Sequence, residues 1–574
     1  MKKKSAFSIY KDQKLLVGLV AIIFIYSFIV RFGPISTFLP FYSLDENELT
    51  EFALALFGPD KDPHWYKYGP LYWYILKFIY SIQIFIGGVS TDEFVQNYFI
   101  SPSNYFLTSR YLAATMHIIM AFVAYKMTLV HFNKKSAVIT LCIALIPIGD
   151  SLTAFLPRID TLLALNVLCC LYFSLFVLDK KRINSWIYFI LMGAFFAFSV
   201  SSKPIPSLLL LPSLALVFYF RNFDNKWTIK SNIAPIIRVF AEKGLYIFLC
   251  AFFIGLFISN PYAFKSFDLF WAEQVAAVQE EGQRNFESGL NIFRFSSSFG
   301  FPLLLTYVGV TSFALYDGIK RKKYALTILA SYTFVFWLSF SFGAARNYFY
   351  VPVIPPLAIL SGYYIRRIVY QLKQNHKLPK SLSINMACGI LLLILCISPI
   401  YNTTKSRIPL IGIDQVTKHT QSAAQDWIES NIPENSRILY YGYYTSLPKL
   451  IDNNVNEQAR YGDYFMYRRG NNQYWINQYS KAYNRMTNDR EIKKYNIEYN
   501  LNFQDSNGQN QSYYTRYEDD NISSQIFNLA ASQGLDYIVT VYELSQNIGP
   551  FNEIMKLDRT GFKYGPKIYI YKRG

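Results

Sequence analysis

The chain has 574 residues, of which 52% are hydrophobic, 18% aromatic and 16% charged, with a formal net charge of +18. Repeated apolar runs of about span length, with so little charge between them, mark a polytopic membrane protein rather than a water-soluble domain. The cations gather in short clusters between apolar runs, where orientation signals are expected, so the positive charge does not imply nucleic acid.

Lys2, Lys3 and Lys4 precede an apolar run from Leu15 to Ile35 broken only by Arg31. The run is long enough to span and lacks a small-residue cleavage site, so it reads as an anchor with a cytoplasmic N-terminus. Just outside it comes Ser43-Leu44-Asp45-Glu46-Asn47-Glu48, followed by Leu49, Phe52, Ala53, Leu56 and Phe57. Ser43 and Glu46 have the spacing of a capping box, which predicts a helix beginning near Leu44; Gly58-Pro59 ends it. At about 100° per residue, Leu49, Phe52, Ala53 and Leu56 share a stripe that also takes in Asp45, while Glu48 lies at its edge and Glu51 points away. A carboxylate on a buried stripe is costly without a partner or a task. Asp45 is therefore the first candidate for chemistry, with Glu46 beside it, and a plain helix cap is the alternative for both.

Leu71 to Ile86 is apolar enough to cross a bilayer, yet a crossing here would carry Lys134-Lys135 and later basic clusters to the outside. Pro70, Tyr74, Lys77 and Ser81 fall on one stripe, Tyr72 and Trp73 supply interfacial aromatics, and Gly87-Gly88 stops the helix. These features predict a helix lying in the membrane surface, inside one outer loop from 37 to 109. The basic clusters at Lys126 with Lys134 and Lys135, Lys180 to Arg182, Arg221 to Lys243, Lys320 to Lys323 and Arg366 to Lys380 all read as cytoplasmic. Even parity between them predicts spans near 110–125, 136–156, 159–178, 184–202, 204–220, 244–259, 300–316, 324–342, 350–365 and 385–401, about eleven with the first. A second outer loop, about 260–299, carries Trp271, Glu273, Glu280, Glu281 and Arg284.

The division expected is a transmembrane region 1–401 and a soluble tail 402–574. The tail is polar and Tyr-rich, with a helix-like stretch Ser422 to Ser430 and strand-like stretches Ile438 to Tyr441, Tyr537 to Tyr542 and Lys567 to Tyr571. That predicts a small extracytoplasmic α/β domain; Asp452 to Ser524 shows no clear period and receives no assignment. Cys142, Cys169, Cys170, Cys250, Cys388 and Cys396 all lie in apolar runs, which leaves no disulfide or zinc framework in view.

Lys67, Arg110, Arg158, Lys203, Arg284 and Arg346 fall at outer membrane borders, against the orientation rule. A border cation is level with lipid headgroups, where it can meet an anionic phosphate. The alternatives are snorkelling, or an ion pair with Asp160, Glu273 or Glu280. Asp160 itself reads either as a counter-ion or as a substrate contact. His117 lacks a second ligand at helical spacing and His64 has only Asp60 and Asp62 nearby, so both read as structural; no metal site is assigned, and a divalent metal stays open.

These residues resemble the GT-C membrane glycosyltransferases, the group that includes protein O-mannosyltransferases and lipid A aminoarabinose transferases. The resemblance rests on Asp45-Glu46 after the first span, Tyr68-Gly69-Pro70-Leu71-Tyr72-Trp73, Arg110, Asp160, Ser202-Lys203, and Arg346-Asn347-Tyr348 leading into Pro352, Pro355 and Pro356. Ala424 to Ile438, with Trp427-Ile428 and Asn431-Ile432-Pro433, also looks like the region after the last span in bacterial members. It implies a GT-C fold with interfacial helices, in an integral protein of a bacterial cytoplasmic membrane. The implied donor is a polyprenyl-phosphate sugar and the acceptor a hydroxyl of a glycan, lipid or protein on the outer face, with inversion at the anomeric carbon. Asp45 would accept the acceptor's proton, Lys203 and Arg346 would hold the lipid phosphate, and Arg110 would hold the loop. Aminoarabinose transferases place Glu-Lys before the interfacial proline where this chain has Tyr68-Gly69, with Lys67 nearby, so the resemblance carries over neither a metal site nor an aminosugar donor. Two rival readings share parts of the pattern. A transporter or flippase would also have many spans, although its charges would gather at the midplane. An oligosaccharide ligase or polymerase would share the lipid-linked donor.

Overall fold

A computed structural model of the chain describes residues 6–36, 44–59, 61, 66–146, 156–179, 185–222, 237–283, 301–341, 347–375, 377–379, 383–411, 420–442, 447–448, 450–454, 472–488, 493–499, 502–504, 510–512, 520–544, 550–557 and 567–574. They form two compact units, one of Met1–Ile35, Trp65–Tyr74 and Arg110–Ile411, the other of Ser36–His64, Ile75–Ser109 and Gly412–Gly574.

The first unit is a helical bundle. Four of its helices, Ser103–His131, Ile159–Val177, Pro204–Asn222 (broken near Leu209) and Ile384–Ser406, are long and apolar enough to cross a membrane, and Val17–Phe32, Ser185–Val200, Lys243–Ser259 and Tyr324–Ser339 are shorter apolar helices. Their starts follow local chemistry. Asn133 caps Lys134–Leu145 by accepting from the Ser136 amide, and Ser383 caps Ile384–Arg407 through the Met386 amide. Glycines let helices approach: a Cβ on Gly193 would lie 2.4 Å from the Phe248 carbonyl oxygen, and one on Gly362 would lie 2.3 Å from Thr140 Oγ1. Phe253, Ile254, Phe257 and Ile258 stay exposed on Lys243–Ser259, an apolar outer surface that suits lipid rather than water. The span expected over 350–365 opens as the 3-10 helix Asn347–Val353, and the helix expected over 136–156 stops at Leu145. Ile146 is extended because Pro147 follows it, and the residue before a proline is pushed out of the helical region.

The second unit contains the helices Leu44–Ala55, Thr91–Ile100, Thr420–Asn431, Asn472–Asn488 and Asp520–Ser532, with most of Leu71–Gly87. Leu71–Gly87 turns through 104° into Thr91–Ile100. Its sheet contains β1 (Arg437–Tyr441), β2 (Ile451–Asp452), β3 (Lys494–Tyr499), β6 (Tyr537–Thr540), β7 (Phe551–Leu557) and β8 (Ile568–Arg573), in the order β2-β3-β1-β6-β8-β7; β4 (Asn502–Gln504) and β5 (Asn510–Ser512) form a separate hairpin. β2, β3, β1 and β6 run parallel, and β8 is antiparallel to β6 and β7. The registers set Ile438 opposite both Ile497 and Tyr537. Parallel strands are covered on both faces, hence the unbroken apolar run of β1. Ile438 and Tyr440 pack with Ala424 and Ile428 on one side, while Leu439 and Tyr441 pack with Ile526, Phe527 and Ala530 on the other.

Candidate functional site

The acidic helix begins at Leu44, where the sequence puts its start, and runs to Ala55, short of Gly58-Pro59. Ser43 and the Asp45 side chain lie outside the described residues. Glu46 is fully buried, together with Leu49, Thr50, Phe52, Ala53 and Leu54. The amphipathic reading needs one correction. Glu51, expected to point away from the buried stripe, is 1% exposed and accepts a hydrogen bond from the Tyr98 hydroxyl at 2.8 Å. The stripe argument assumes water on the far side of the helix, whereas here the far side is covered too.

The cover is aromatic. Tyr98 meets Tyr105 edge-on at 5.3 Å, and Phe94 lies 4.8 Å from Tyr105 and 5.7 Å from Tyr80. The Tyr80 hydroxyl donates to the Tyr105 carbonyl at 3.1 Å. Burial holds the Tyr98 hydroxyl well above its usual pKa, and the negative charges of Glu51 and Glu46 push it further the same way. At the C-terminal end of the acidic helix, Lys77 Nζ donates to the Leu56 carbonyl at 2.7 Å, a cation placed where the helix dipole favours one.

In the first unit a strap, residues 66–70, is fastened on both sides. The Tyr66 amide donates to Glu273 Oε2 at 2.7 Å, and Gln274 Nε2 donates to the Tyr66 and Lys67 carbonyls at 2.6 and 3.1 Å. On the other side the Gly69 and Leu71 amides donate to the Ser202 and Ser201 carbonyls, each at 3.2 Å. Gly69 is required there, since a Cβ would lie 1.9 Å from the Ser201 oxygen.

The strap lies beside Lys203, an extended residue between Ser185–Val200 and Pro204–Leu208, where Pro204 starts the next helix. Lys203 Nζ is 3.0 Å from Asp160 Oδ1, 4.3 Å from the Phe349 ring centroid and 5.4 Å from that of Tyr68. The side chains are only 12% and 8% exposed, so the carboxylate and the ring faces take over much of the solvation that water would give the ammonium. Of the two roles open to Asp160, this geometry is that of a counter-ion.

Arg110 is fully buried and donates to the Ile35 carbonyl, a contact suited to holding the loop. Arg158 sits at the N-cap of Ile159–Val177, and Lys67 is half-buried on the strap. Arg284, Arg346 and His64 lie outside the described residues. His117 Nε2 is 3.4 Å from Thr161 Oγ1. Among the described residues no group of three or more His, Cys, Asp or Glu side chains is arranged to hold a metal. A small apolar cleft is lined by Leu304, Tyr307, Thr311, Thr333, Trp337, Val353 and Leu357. Tyr98, Gln274 and Phe349 carry no signal in the sequence that would mark them, because each acts through residues distant along the chain.

Residues 104–249 match the model of the dolichyl-phosphate-mannose-protein mannosyltransferase family. No curated protein matches the chain in sequence. In fold it is similar to ArnT from Cupriavidus metallidurans in the apo state, at 11% identity and a TM-score of 0.51 over 97% of this chain and 98% of that one. The same enzyme bound to undecaprenyl phosphate aligns at 11% identity and a TM-score of 0.50 over 97% of both chains. The oligosaccharyltransferase of Archaeoglobus fulgidus, in its apo form, is similar at 14% identity and a TM-score of 0.51, over 93% of this chain and 70% of that one.

Proposed function

Taking the chain as a member of the GT-C group of membrane glycosyltransferases, we propose that it moves a sugar from a polyprenyl-phosphate carrier to a hydroxyl of a glycan, lipid or protein on the extracytoplasmic face, inverting the anomeric carbon. The observation that carries the reading is the family match over 104–249, because that stretch contains Arg110, Asp160 and Lys203.

In the proposed reaction Asp45 accepts the acceptor's hydroxyl proton as the oxygen bonds to the anomeric carbon. The bond from that carbon to the phosphate oxygen breaks, and both of its electrons leave with the lipid phosphate. Lys203 and Arg346 are assigned to that phosphate; Lys67, Arg158 and Arg284 add positive charge at the same border. Asp160 orients Lys203 and moderates its charge, so the ammonium retains donors for an incoming anion. Glu46, being fully buried, is assigned to holding the acidic helix in the resting protein. No step is assigned to a metal.

The test is purified full-length protein in liposomes, supplied with a panel of polyprenyl-phosphate sugars and hydroxyl acceptors, with released lipid phosphate and transferred sugar measured together. The expected result is equal amounts of both. Movement of intact carrier across the bilayer with no release overturns the reading in favour of a transporter. The similarity to an archaeal oligosaccharyltransferase favours a second reading, transfer of a whole lipid-linked oligosaccharide, which turnover only with such donors in the same assay would establish.

A further inference from the structure

We propose that Glu51 and Tyr98 are positioning residues, through which the helix Asn472–Asn488 of the tail fixes the acidic helix Leu44–Ala55. Its catalytic consequence rests on the function proposed above. The helix Thr91–Ile100 stands between them with two working faces. Asp92, Gln96 and Phe99 follow the i, i+4, i+7 pattern of one stripe. That stripe meets Asn472–Asn488: the Tyr474 hydroxyl donates to Asp92 Oδ1 at 2.9 Å, Gln96 Nε2 donates to Gln478 Oε1 at 2.8 Å, and Phe99 meets Tyr479 edge-on at 5.4 Å. Phe94 and Tyr98 form the other face, where Tyr98 reaches Glu51.

Gln96 and Gln478 are both buried, as is Glu51, so these are polar contacts in an interior rather than solvated pairs. Buried polar groups are costly when mismatched and favour one register when matched, a property that apolar packing of the same volume supplies less strictly. The helix Asn472–Asn488 also touches the far end of the acidic helix. A Cβ on Gly58, just beyond it, would lie 3.0 Å from the Trp475 ring. The tail thus bears on the acidic helix at its C-terminal end and, through Tyr98, near its middle. Glu51 is one and a half turns beyond Asp45 and Glu46, so a rotation about the helix axis that breaks the Tyr98 bond turns both acids with it.

The test uses the full chain in liposomes, with Tyr98→Phe, Glu51→Leu, Glu51→Gln and Gln478→Leu, and two readouts. The first is amide hydrogen exchange over residues 44–55, with Ile159–Val177 as an internal reference; the second is turnover of a polyprenyl-phosphate sugar. Tyr98→Phe, Glu51→Leu and Gln478→Leu are expected to speed exchange over 44–55 by about tenfold or more while leaving the reference unchanged. They are expected to lower kcat by about tenfold with the donor KM within about twofold. Glu51→Gln, which keeps an acceptor for Tyr98, is expected to restore most of both. Unchanged exchange over 44–55 in Tyr98→Phe and Glu51→Leu, or in Gln478→Leu, overturns the proposal. Should Glu51→Leu fail to fold, Tyr98→Phe decides alone, since it removes only a hydroxyl. If the wild-type chain turns over no donor, the proposed function fails while the exchange readout still decides the positioning.

Discussion

Asp45 and Glu46 are neighbours with different prospects. Asp45 is the proposed base, so Asp45→Asn should lower turnover by roughly 10² to 10⁴-fold, the range for positioned acid–base catalysis, with unchanged thermal stability. Near-wild-type transfer by that variant would reduce Asp45 to a helix cap. Glu46→Gln should act on stability as well, because Glu46 is fully buried. Among the border cations, Lys203→Ala and Arg346→Ala should each weaken use of the donor, and Arg346→Lys should be only partly tolerated because the planar fork is lost. Wild-type donor kinetics in both alanine variants would remove these residues from the phosphate site. Removing Lys203 also strands the buried Asp160 carboxylate, so donor binding and stability must be measured side by side.

The strap of residues 66–70 is the element on which the Lys203 surroundings depend. Its Gly69 amide and the Leu71 amide just beyond it bond the Ser202 and Ser201 carbonyls, and Tyr68 supplies one of the ring faces. Gly69→Ala cannot be accommodated without moving backbone, since the obstacle is the Ser201 carbonyl rather than a flexible side chain. The variant should lose about 1–3 kcal/mol of stability, as overpacked sites do, and weaken donor binding. Thermal unfolding together with donor titration checks this; an unchanged melting temperature would mean that the strap is held elsewhere. The acidic helix shows how far sequence reading reaches at this scale. Its start at Leu44 is legible because helix starts are marked by residue types within the first turn. The burial of Glu51 is not, because Tyr98 lies 47 residues away.

For the whole molecule, parity of the basic clusters predicts that Ser103 and Ser512 face the same, extracytoplasmic side. Cysteines introduced at both should react with an impermeant reagent added outside intact cells. Labelling at one position and not the other would sink the topology and, with it, the reading of Leu71–Gly87 as a surface helix. Strands β1, β6 and β8 are legible as short β-branched and aromatic runs, whereas β3, Lys494–Tyr499, is not. Its alternation of Tyr495, Ile497 and Tyr499 is present but brief, in a region without other periodicity.

The sequence by itself determined the membrane class, the start of the acidic helix and the residues worth suspecting. Each of these depends on composition or on contacts within a turn or two, where backbone geometry alone sets which side chains meet. Only the tertiary structure decided what those residues do to one another. It gave Lys203 a counter-ion 43 residues away, pressed Gly69 against Ser201 and enclosed Glu51 under Tyr98. A charge's partner and a helix's second neighbour are chosen by packing between segments remote along the chain, and periodicity within one segment carries no trace of that choice.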